Sequence, residues 1–195
     1  LGEPGTLRRA AGDIGIPAII YEAGEPMRFQ PDEVDEGVRG VLELLKRVRT
    51  GFGAQLSAFE VMWPDFYRLG TIELKRNPPL QLGYGAYVLI ETLGTDPLVD
   101  QDRYESVIGE AVEDGIVKDA VVAQSQREAT EIWAVRDSPG EWSGGVHWPQ
   151  LGFDVSVPTG EIDDLAREIG EELKRRWPQL ISVFFGHVAD GNLHV

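Results

Sequence analysis

Most of the information on how this chain folds lies in the segment His187-Val188-Ala189-Asp190-Gly191-Asn192-Leu193-His194-Val195. Asp-Gly between apolar residues predicts a two-residue β-hairpin turn, because both central positions of a type I′ turn require a positive φ. With Asp190 and Gly191 as the loop, His187 lies opposite His194 in two antiparallel strands. Since side chains alternate across a strand, both imidazoles then lie on one face of a sheet.

Two imidazoles at these positions could share a divalent metal ion, because opposite residues of an antiparallel pair have Cβ atoms about 4.5–5.5 Å apart. Asn192 points to the same side of the sheet. Two histidines are, however, fewer than the three or four protein ligands of a usual zinc site. An ordinary hairpin with two half-exposed histidines therefore remains the alternative interpretation.

Outside the hairpin, helices and strands alternate along most of the chain, which alone would suggest parallel βαβ units. The hairpin is antiparallel, however, and polar residues interrupt the strands, unlike those of a parallel sheet that is buried on both faces. The sequence therefore predicts an α+β fold with a mostly antiparallel sheet and helices packed on one face. The predicted helices span residues 31–50, 64–75, 98–114, 125–135 and 159–177; the predicted strands span 17–21 (as an edge strand), 56–62, 84–93, 116–123 and 148–157; residues 140–145 are predicted to form a loop.

Composition excludes several classes of protein. The chain has no cysteine, which removes disulfides and thiolate chemistry, and no apolar run long enough for a transmembrane helix. A formal net charge of −15 argues against binding to a nucleic-acid backbone. No signal peptide is recognisable. We therefore expect a cytoplasmic protein that does not bind nucleic acid, with peripheral attachment to a membrane as the alternative.

Four segments resemble, in the same order, the motifs of a known family. Residues 185–194 resemble its GHxGDGNLH signature, residues 56–62 its LSAFEFMD motif, residues 132–137 its LWxIRE motif and residues 153–158 its YDVSVP motif. The family is that of the FAD-linked 2-hydroxy-acid oxidoreductases, which includes glycolate oxidase, D-lactate dehydrogenase and D-2-hydroxyglutarate dehydrogenase, within the vanillyl-alcohol-oxidase superfamily. The resemblance covers roughly residues 50–195.

The resemblance implies a ferredoxin-like cap domain over residues 31–195, which binds the substrate and is truncated at its C-terminus. Residues 1–30 would be a leader or a remnant of the FAD-binding domain. The intact enzyme would oxidise a small 2-hydroxy acid, such as lactate or glycolate, to the 2-oxo acid. FAD would be bound mainly by an N-terminal domain that this chain lacks, so we expect the isolated fragment to be inactive. Nothing indicates the electron acceptor.

The same resemblance assigns the site residues. His187 and His194 would bind a divalent metal, commonly zinc, whose third protein ligand is a glutamate in a segment that this chain lacks. A histidine just after that glutamate is the family's proposed base, so no catalytic residue is assigned within this chain. Arg136 would hold the substrate carboxylate, because a planar guanidinium can donate two parallel hydrogen bonds to it. Asn192 is predicted to contact the substrate as well.

Two of the charged residues have a purely structural alternative. Spacing alone favours a pairing of Arg136 with Asp137 or Glu131, a preference that the resemblance reverses. Glu60 lies inside an apolar strand, and a buried carboxylate needs a partner. We expect Glu60 to be paired structurally, with a position facing the metal as the alternative.

The chain also departs from the family's pattern. Gly140 stands where the family usually has a threonine, Gly152 where it often has a lysine, and Ala189 replaces a glycine of the signature. The loss of two polar contacts favours a smaller or more apolar 2-hydroxy acid over a dicarboxylate such as 2-hydroxyglutarate. An aromatic group around residues 137–148 is predicted to pack the core; its members are Trp133, Trp142, His147 and Trp148.

Two other functions remain open on the sequence. The first is a ferredoxin-like interaction or regulatory module without a catalytic site, in which His187 and His194 would be splayed apart. The second is a small metal-dependent hydrolase, which needs a third ligand such as Glu60 or Asp190 close to both imidazoles. The expected partners are the 2-hydroxy acid and the protein's own FAD-binding domain. An apolar sheet face exposed by the absence of that domain could instead support a homodimer.

Overall fold

The computed structural model describes residues 16–21, 31–145 and 150–195. Within these residues, seven strands form one antiparallel sheet, and six α-helices pack around it. The strands are β1 (Ile16–Tyr21), β2 (Leu56–Met62), β3 (Ala86–Thr92), β4 (Asp119–Ala123), β5 (Asp154–Ser156), β6 (Phe185–Gly186) and β7 (Asn192–His194). The helices are α1 (Pro31–Phe52), α2 (Pro64–Arg68, continued by a π-helical turn over Leu69–Glu73), α3 (Pro97–Glu113), α4 (Gln126–Arg136), α5 (Pro139–Gly145) and α6 (Ile162–Arg176).

The strand order is β4-β1-β3-β2-β6-β7-β5. The first four strands and the helices α1 and α3 follow one another as β-α-β-β-α-β, and these strands lie in the order 4-1-3-2. This is the ferredoxin-like arrangement. The three short strands β5, β6 and β7 extend the sheet beyond β2, where β6 pairs with Val61 and Met62. The predicted α+β class with an antiparallel sheet is therefore confirmed.

Local sequence explains where the helices begin and end. In α1, the buried residues Val41, Leu44 and Val48 recur every three or four positions and form one apolar stripe. Asp96 caps α3, because its side chain accepts a hydrogen bond from the backbone N–H of Val99. Gly115 follows α3 with a φ of 75°, the left-handed conformation that glycine adopts without strain.

Helices cover both faces of the sheet, which differs from the predicted single face. Along β3, Val88 and Ile90 point into the core under α1 and α3, whereas Tyr87 and Leu89 point into a second core under α2 and α4. Strand β3 is apolar at consecutive positions, so both of its faces must be shielded from water. The site described below lies on the second of these faces.

Two local predictions are wrong. Strand β1 was predicted at an edge, but it lies between β3 and β4 and pairs with both. Its consecutive apolar residues agree with an inner position better than Pro17 agrees with an edge. Residues 139–145 form the helix α5 rather than a loop. Pro139 stands at the first position of α5, where the missing N–H of proline costs no hydrogen bond.

The sheet thus extends into the segment 1–30 that the sequence assigns to a leader or a remnant of an FAD-binding domain. The remainder of that prediction falls on residues 1–15 and 22–30, which lie outside the described residues. His147 and Trp148 of the predicted aromatic group also lie outside them. In the described part of the chain, no helix is both long and apolar enough to cross a membrane.

Candidate functional site

The C-terminal hairpin forms, but its register differs from the prediction. His194 lies opposite Phe185, not opposite His187. The carbonyl of His187 accepts hydrogen bonds from the N–H groups of both Asp190 and Asn192, so the chain makes a 3₁₀ turn over Val188–Asp190 before it enters β7. Only the second residue of the Asp-Gly pair has a positive φ, which the type I′ prediction required of both.

The conformation of this turn depends on Gly191. Its φ is 74°, and a Cβ at this position would lie 2.2 Å from the backbone oxygen of Val157. The N–H of Val157 in turn donates to the carbonyl of Gly191 across 2.9 Å. The turn is therefore built on a close approach of two backbones that only glycine permits.

The two imidazoles nevertheless lie together. The ring centroids of His187 and His194 are 5.5 Å apart, with an angle of 79° between the ring planes. The ring of Phe185 lies 4.7 Å from that of His194. This proximity contradicts the splayed histidines that a module without a site would have.

Glu60 joins the hairpin to the sheet. This residue of β2 is 4% exposed as a whole, and Oε1 of its carboxylate lies 2.5 Å from Nδ1 of His187. Its other oxygen, Oε2, accepts a hydrogen bond of 3.0 Å from Nε of Arg136. Glu60 is thus paired, as its position in the sequence favoured, but its partners are two of the predicted site residues.

Arg136, the last residue of α4, completes the cluster. Its Nη2 lies 3.1 Å from Nε2 of His187, and its Nη1 donates to Asp137 across 3.2 Å. Its guanidinium carbon lies 5.6 Å from the centre of the Phe185 ring, within the range of a cation–π contact. The expected structural partner Asp137 therefore coexists with the site contacts, whereas Glu131 pairs with Arg127.

His194 and Asn192 connect the hairpin to β5. Nδ1 of His194 lies 3.8 Å from Oδ2 of Asp154. Burial lowers the pKa of His194, and the carboxylate of Asp154 opposes that effect. Asn192 donates to Asp154 across 2.5 Å, while its own Oδ1 is buried without a hydrogen-bond partner among the described residues. Asn192 therefore keeps one acceptor available, and its contact with a substrate stays a prediction.

The described residues contain two neighbouring imidazoles but no complete metal site. The pattern of a carboxylate that orients an imidazole is typical of metal-binding histidines, and Glu60 orients His187 in this way. In the part of the chain that the structure describes, however, no three His, Asp or Glu side chains are grouped so that they could hold a metal ion. The hydrolase interpretation needed such a third ligand, and the described residues do not provide it.

The aromatic residues near the site anchor the surrounding elements. Trp133 donates from Nε1 to Glu91 on β3 across 3.2 Å. Trp142 packs edge-on against Phe66, and Phe66 lies 4.3 Å from the ring of Phe185. Core packing was the predicted role of the tryptophans. The sequence did not predict the contacts of Phe185, because they depend on the hairpin register.

Comparison with known proteins identifies one family of similar proteins. A family model described as "FAD linked oxidases, C-terminal domain" matches residues 36–195. The chain is 35% identical over 159 residues to a probable mitochondrial D-2-hydroxyglutarate dehydrogenase of Oryza sativa subsp. indica, covering 78% of this chain and 27% of that protein. It is 30% identical over 187 residues to the mitochondrial D-2-hydroxyglutarate dehydrogenase of Rattus norvegicus, covering 94% of this chain and 34% of that protein.

A third relative carries a different name. The chain is 28% identical over 163 residues to a putative mitochondrial D-lactate dehydrogenase of Schizosaccharomyces pombe, covering 80% of this chain and 31% of that protein. The chain thus spans about a third or less of the length of these relatives.

Proposed function

Because the chain belongs to the FAD-linked oxidases through their C-terminal domain, we propose that it forms the substrate-binding cap of an enzyme that oxidises a 2-hydroxy acid to the 2-oxo acid. One observation carries the proposal. The guanidinium of Arg136 lies 3.1 Å from the imidazole of His187, and the ring of His194 is 5.5 Å from that of His187. A cation for a carboxylate and basic nitrogens for a neighbouring hydroxyl thus occupy one face of the sheet.

Arg136 is suited to hold the substrate carboxylate. A guanidinium has five N–H donors in a planar fork, and the contacts with Glu60, Asp137 and His187 use three of them. The remaining donors can form charge-assisted hydrogen bonds with a carboxylate. Since Arg136 is anchored at three points, it loses less conformational entropy on binding than an unrestrained side chain would.

We propose a small 2-hydroxy acid of the lactate or glycolate class as the substrate. Arg136 offers one guanidinium, which matches one carboxylate. Gly140 and Gly152 carry no side chain where the resemblance leads one to expect a threonine and a lysine, and a Cβ added at either glycine would meet no atom within 4 Å. A dicarboxylate such as D-2-hydroxyglutarate is the second candidate, because the names of the rice and rat relatives favour it.

We also propose that His187 and His194 are two ligands of a divalent metal such as zinc, with the remaining ligands from outside the described residues. Binding through Nε2 of His187 would displace its hydrogen bond with Arg136. The metal would polarise the substrate hydroxyl and favour loss of its proton. In the proposed reaction the substrate would lose a hydride from its α-carbon, for which bound FAD would supply the acceptor, and a proton from its hydroxyl, which would pass to a base not assigned among the described residues. Arg136 orients the carboxylate so that the α-carbon is held in one position.

Anaerobic titration of the flavin-loaded protein tests this function. Addition of D-lactate, glycolate or D-2-hydroxyglutarate, each in a separate cell, is expected to bleach the absorbance of the oxidised flavin for at least one substrate. The ranking of the three acids decides between the two substrate classes. Absence of bleaching with all three would contradict the proposal.

A further inference from the structure

We infer that Glu60 is a positioning residue, whose carboxylate locks the imidazole of His187 and the guanidinium of Arg136 into one closed ring of hydrogen bonds and thereby fixes which nitrogen of His187 carries the proton. The effect on catalysis rests on the function proposed above. The ring itself does not, because it is a property of three side chains of this chain.

The ring of hydrogen bonds has three sides. Oε1 of Glu60 lies 2.5 Å from Nδ1 of His187, Nε2 of His187 lies 3.1 Å from Nη2 of Arg136, and Nε of Arg136 lies 3.0 Å from Oε2 of Glu60. The three residues come from β2, the end of α4 and the hairpin, and Glu60 and His187 are 127 positions apart. The ring therefore connects three elements that are far apart in the sequence.

The proton positions follow from the chemistry of the partners. A guanidinium only donates hydrogen bonds, so Nε2 of His187 must accept from Arg136. A carboxylate only accepts, so Nδ1 of His187 must carry the proton and donate it to Glu60. His187 is thereby held as the tautomer whose lone pair is on Nε2. In the closed ring that lone pair accepts from Arg136, so a substrate hydroxyl or a metal ion would use it only by displacing this hydrogen bond.

Burial makes this arrangement depend on a carboxylate. The side chain of Glu60 is 6% exposed, so water does not replace a lost partner. Glu60 meets two donors, the N–H of His187 and the N–H of Arg136, and only a carboxylate offers an acceptor to each of them. A glutamine has the same shape but one acceptor and one NH₂ group. In either orientation of its amide, Glu60→Gln would place a donor against a donor or force the proton of His187 to Nε2.

Nuclear magnetic resonance of protein with ¹⁵N-labelled histidine measures the tautomer directly. This chain contains three histidines, so the signals of His187 are assigned by replacing His147 and His194 in turn. In the wild type we expect a protonated Nδ1 and an unprotonated Nε2. In Glu60→Gln we expect the proton of His187 to move to Nε2 or to exchange between the two ring nitrogens. The two nitrogen signals would then swap positions or average. The matched control is Glu91→Gln, because Glu91 also bridges two side chains, those of Ser57 and Trp133, but lies outside the ring. It is expected to leave the signals of His187 unchanged.

Steady-state kinetics of the flavin-loaded protein supply the second measurement. Because a misplaced Arg136 loses a charge-assisted hydrogen bond to the carboxylate, Glu60→Gln is expected to raise KM for the 2-hydroxy acid by roughly tenfold or more. Glu91→Gln is expected to keep the KM of the wild type. A merely structural role of Glu60 would lower the yield or melting temperature of Glu60→Gln without changing KM in the folded enzyme.

The outcomes separate the two proposals. The inference is overturned if His187 of the wild type carries its proton on Nε2, a result that needs no variant to fold. It is also overturned if folded Glu60→Gln keeps the tautomer and the KM of the wild type. If the tautomer responds as expected while no 2-hydroxy acid reduces the flavin, the ring stands and the proposed function fails.

Discussion

Arg136 donates a hydrogen bond from Nε to Oε2 of Glu60 across 3.0 Å, although the two residues are 76 positions apart in the sequence. The side chains are 17% and 6% exposed, so the pair is largely removed from water. Removal of one partner of such a pair leaves an uncompensated buried charge and costs about 3–5 kcal/mol. The pair therefore ties the end of α4 to β2 as well as orienting a group of the candidate site.

Arg136→Lys tests whether substrate binding needs the planar guanidinium of this residue or only its positive charge. Lysine keeps a positive charge beside Glu60, but it lacks the planar fork that donates two parallel hydrogen bonds to a carboxylate. We expect kcat/KM for the 2-hydroxy acid to fall about 10- to 100-fold, which corresponds to the loss of one charge-assisted hydrogen bond of about 1.5–3 kcal/mol. Steady-state kinetics check this value.

The control for this variant is Arg127→Lys. Arg127 lies on the same helix and pairs with Glu131, but its side chain is 87% exposed. We expect no change in kcat/KM for Arg127→Lys, because an exposed pair one turn apart contributes only a few tenths of a kcal/mol to the helix. Equal losses of kcat/KM in the two variants would contradict the placement of Arg136 in the binding site.

Gly191→Ala tests whether the turn of the hairpin depends on the close approach of two backbones. The φ of 74° is strained for alanine, and its Cβ would lie 2.2 Å from the carbonyl oxygen of Val157. We expect a loss of about 1–3 kcal/mol or more in the free energy of unfolding, measured with urea. Since the turn positions both histidines, the variant is also expected to change the imidazole signals of His187 and His194.

Gly109→Ala is the matched control for the glycine. Gly109 lies inside α3, and a Cβ there would meet no atom within 4 Å. Alanine in a helix interior is favoured over glycine by about 0.5–1 kcal/mol, so this variant is expected to gain stability. A similar loss in both variants would contradict the role assigned to the turn at Gly191.

The hairpin illustrates how far sequence reasoning reaches in this protein. The Asp-Gly pair correctly indicated a reversal between two antiparallel strands and two neighbouring imidazoles. It did not give the register, because pairing of Gly186 with Val61 and packing of Phe185 on Phe66 fix β6 by long-range contacts. Local turn preferences contain no information on either contact.

The ring of side chains shows the same limit. That Glu60 needs a partner follows from its position in an apolar strand. Which partner it has does not, since Arg136 and His187 lie in elements that meet β2 only in the folded chain. Spacing favoured Asp137 as the partner of Arg136, and that contact is present. The family resemblance, not the spacing, indicated that Arg136 and His187 belong to one site.

Replacement by phenylalanine is expected to have different effects on the free energy of unfolding at Tyr67 and at Tyr104. The hydroxyl of Tyr67 donates to the carbonyl of Leu80 across 3.0 Å and accepts from the N–H of Leu80 across 2.9 Å. The hydroxyl of Tyr104 is buried without a partner among the described residues. Tyr67→Phe is expected to lower the free energy of unfolding by about 1–3 kcal/mol, because it leaves two buried backbone groups unpaired.

Tyr104→Phe removes a buried hydroxyl that has no hydrogen bond within the described part of the chain, so we expect an unchanged or higher free energy of unfolding. The stacking of this ring on Phe52, with centroids 5.2 Å apart, is retained in the variant. Urea unfolding of the two variants side by side measures the difference. A loss for Tyr104→Phe as large as that for Tyr67→Phe would mean that the hydroxyl of Tyr104 has a partner in solution.

The same two tyrosines set the response to alkaline pH. Burial raises the pKa of Tyr67, an effect that its bond to Leu80 partly opposes, and burial raises the pKa of Tyr104 well above the ordinary value. A tyrosine whose pKa is higher in the folded than in the unfolded chain contributes stability that is present below about pH 10 and is lost as the pH rises further. We therefore expect the free energy of unfolding to fall above about pH 10.

Absorbance at the tyrosinate band should show that Tyr67 and Tyr104 ionise only together with unfolding. The double variant Tyr67→Phe/Tyr104→Phe should show a weaker fall. Ionisation of these two phenols at an ordinary pKa in the folded protein would contradict their burial in the two cores.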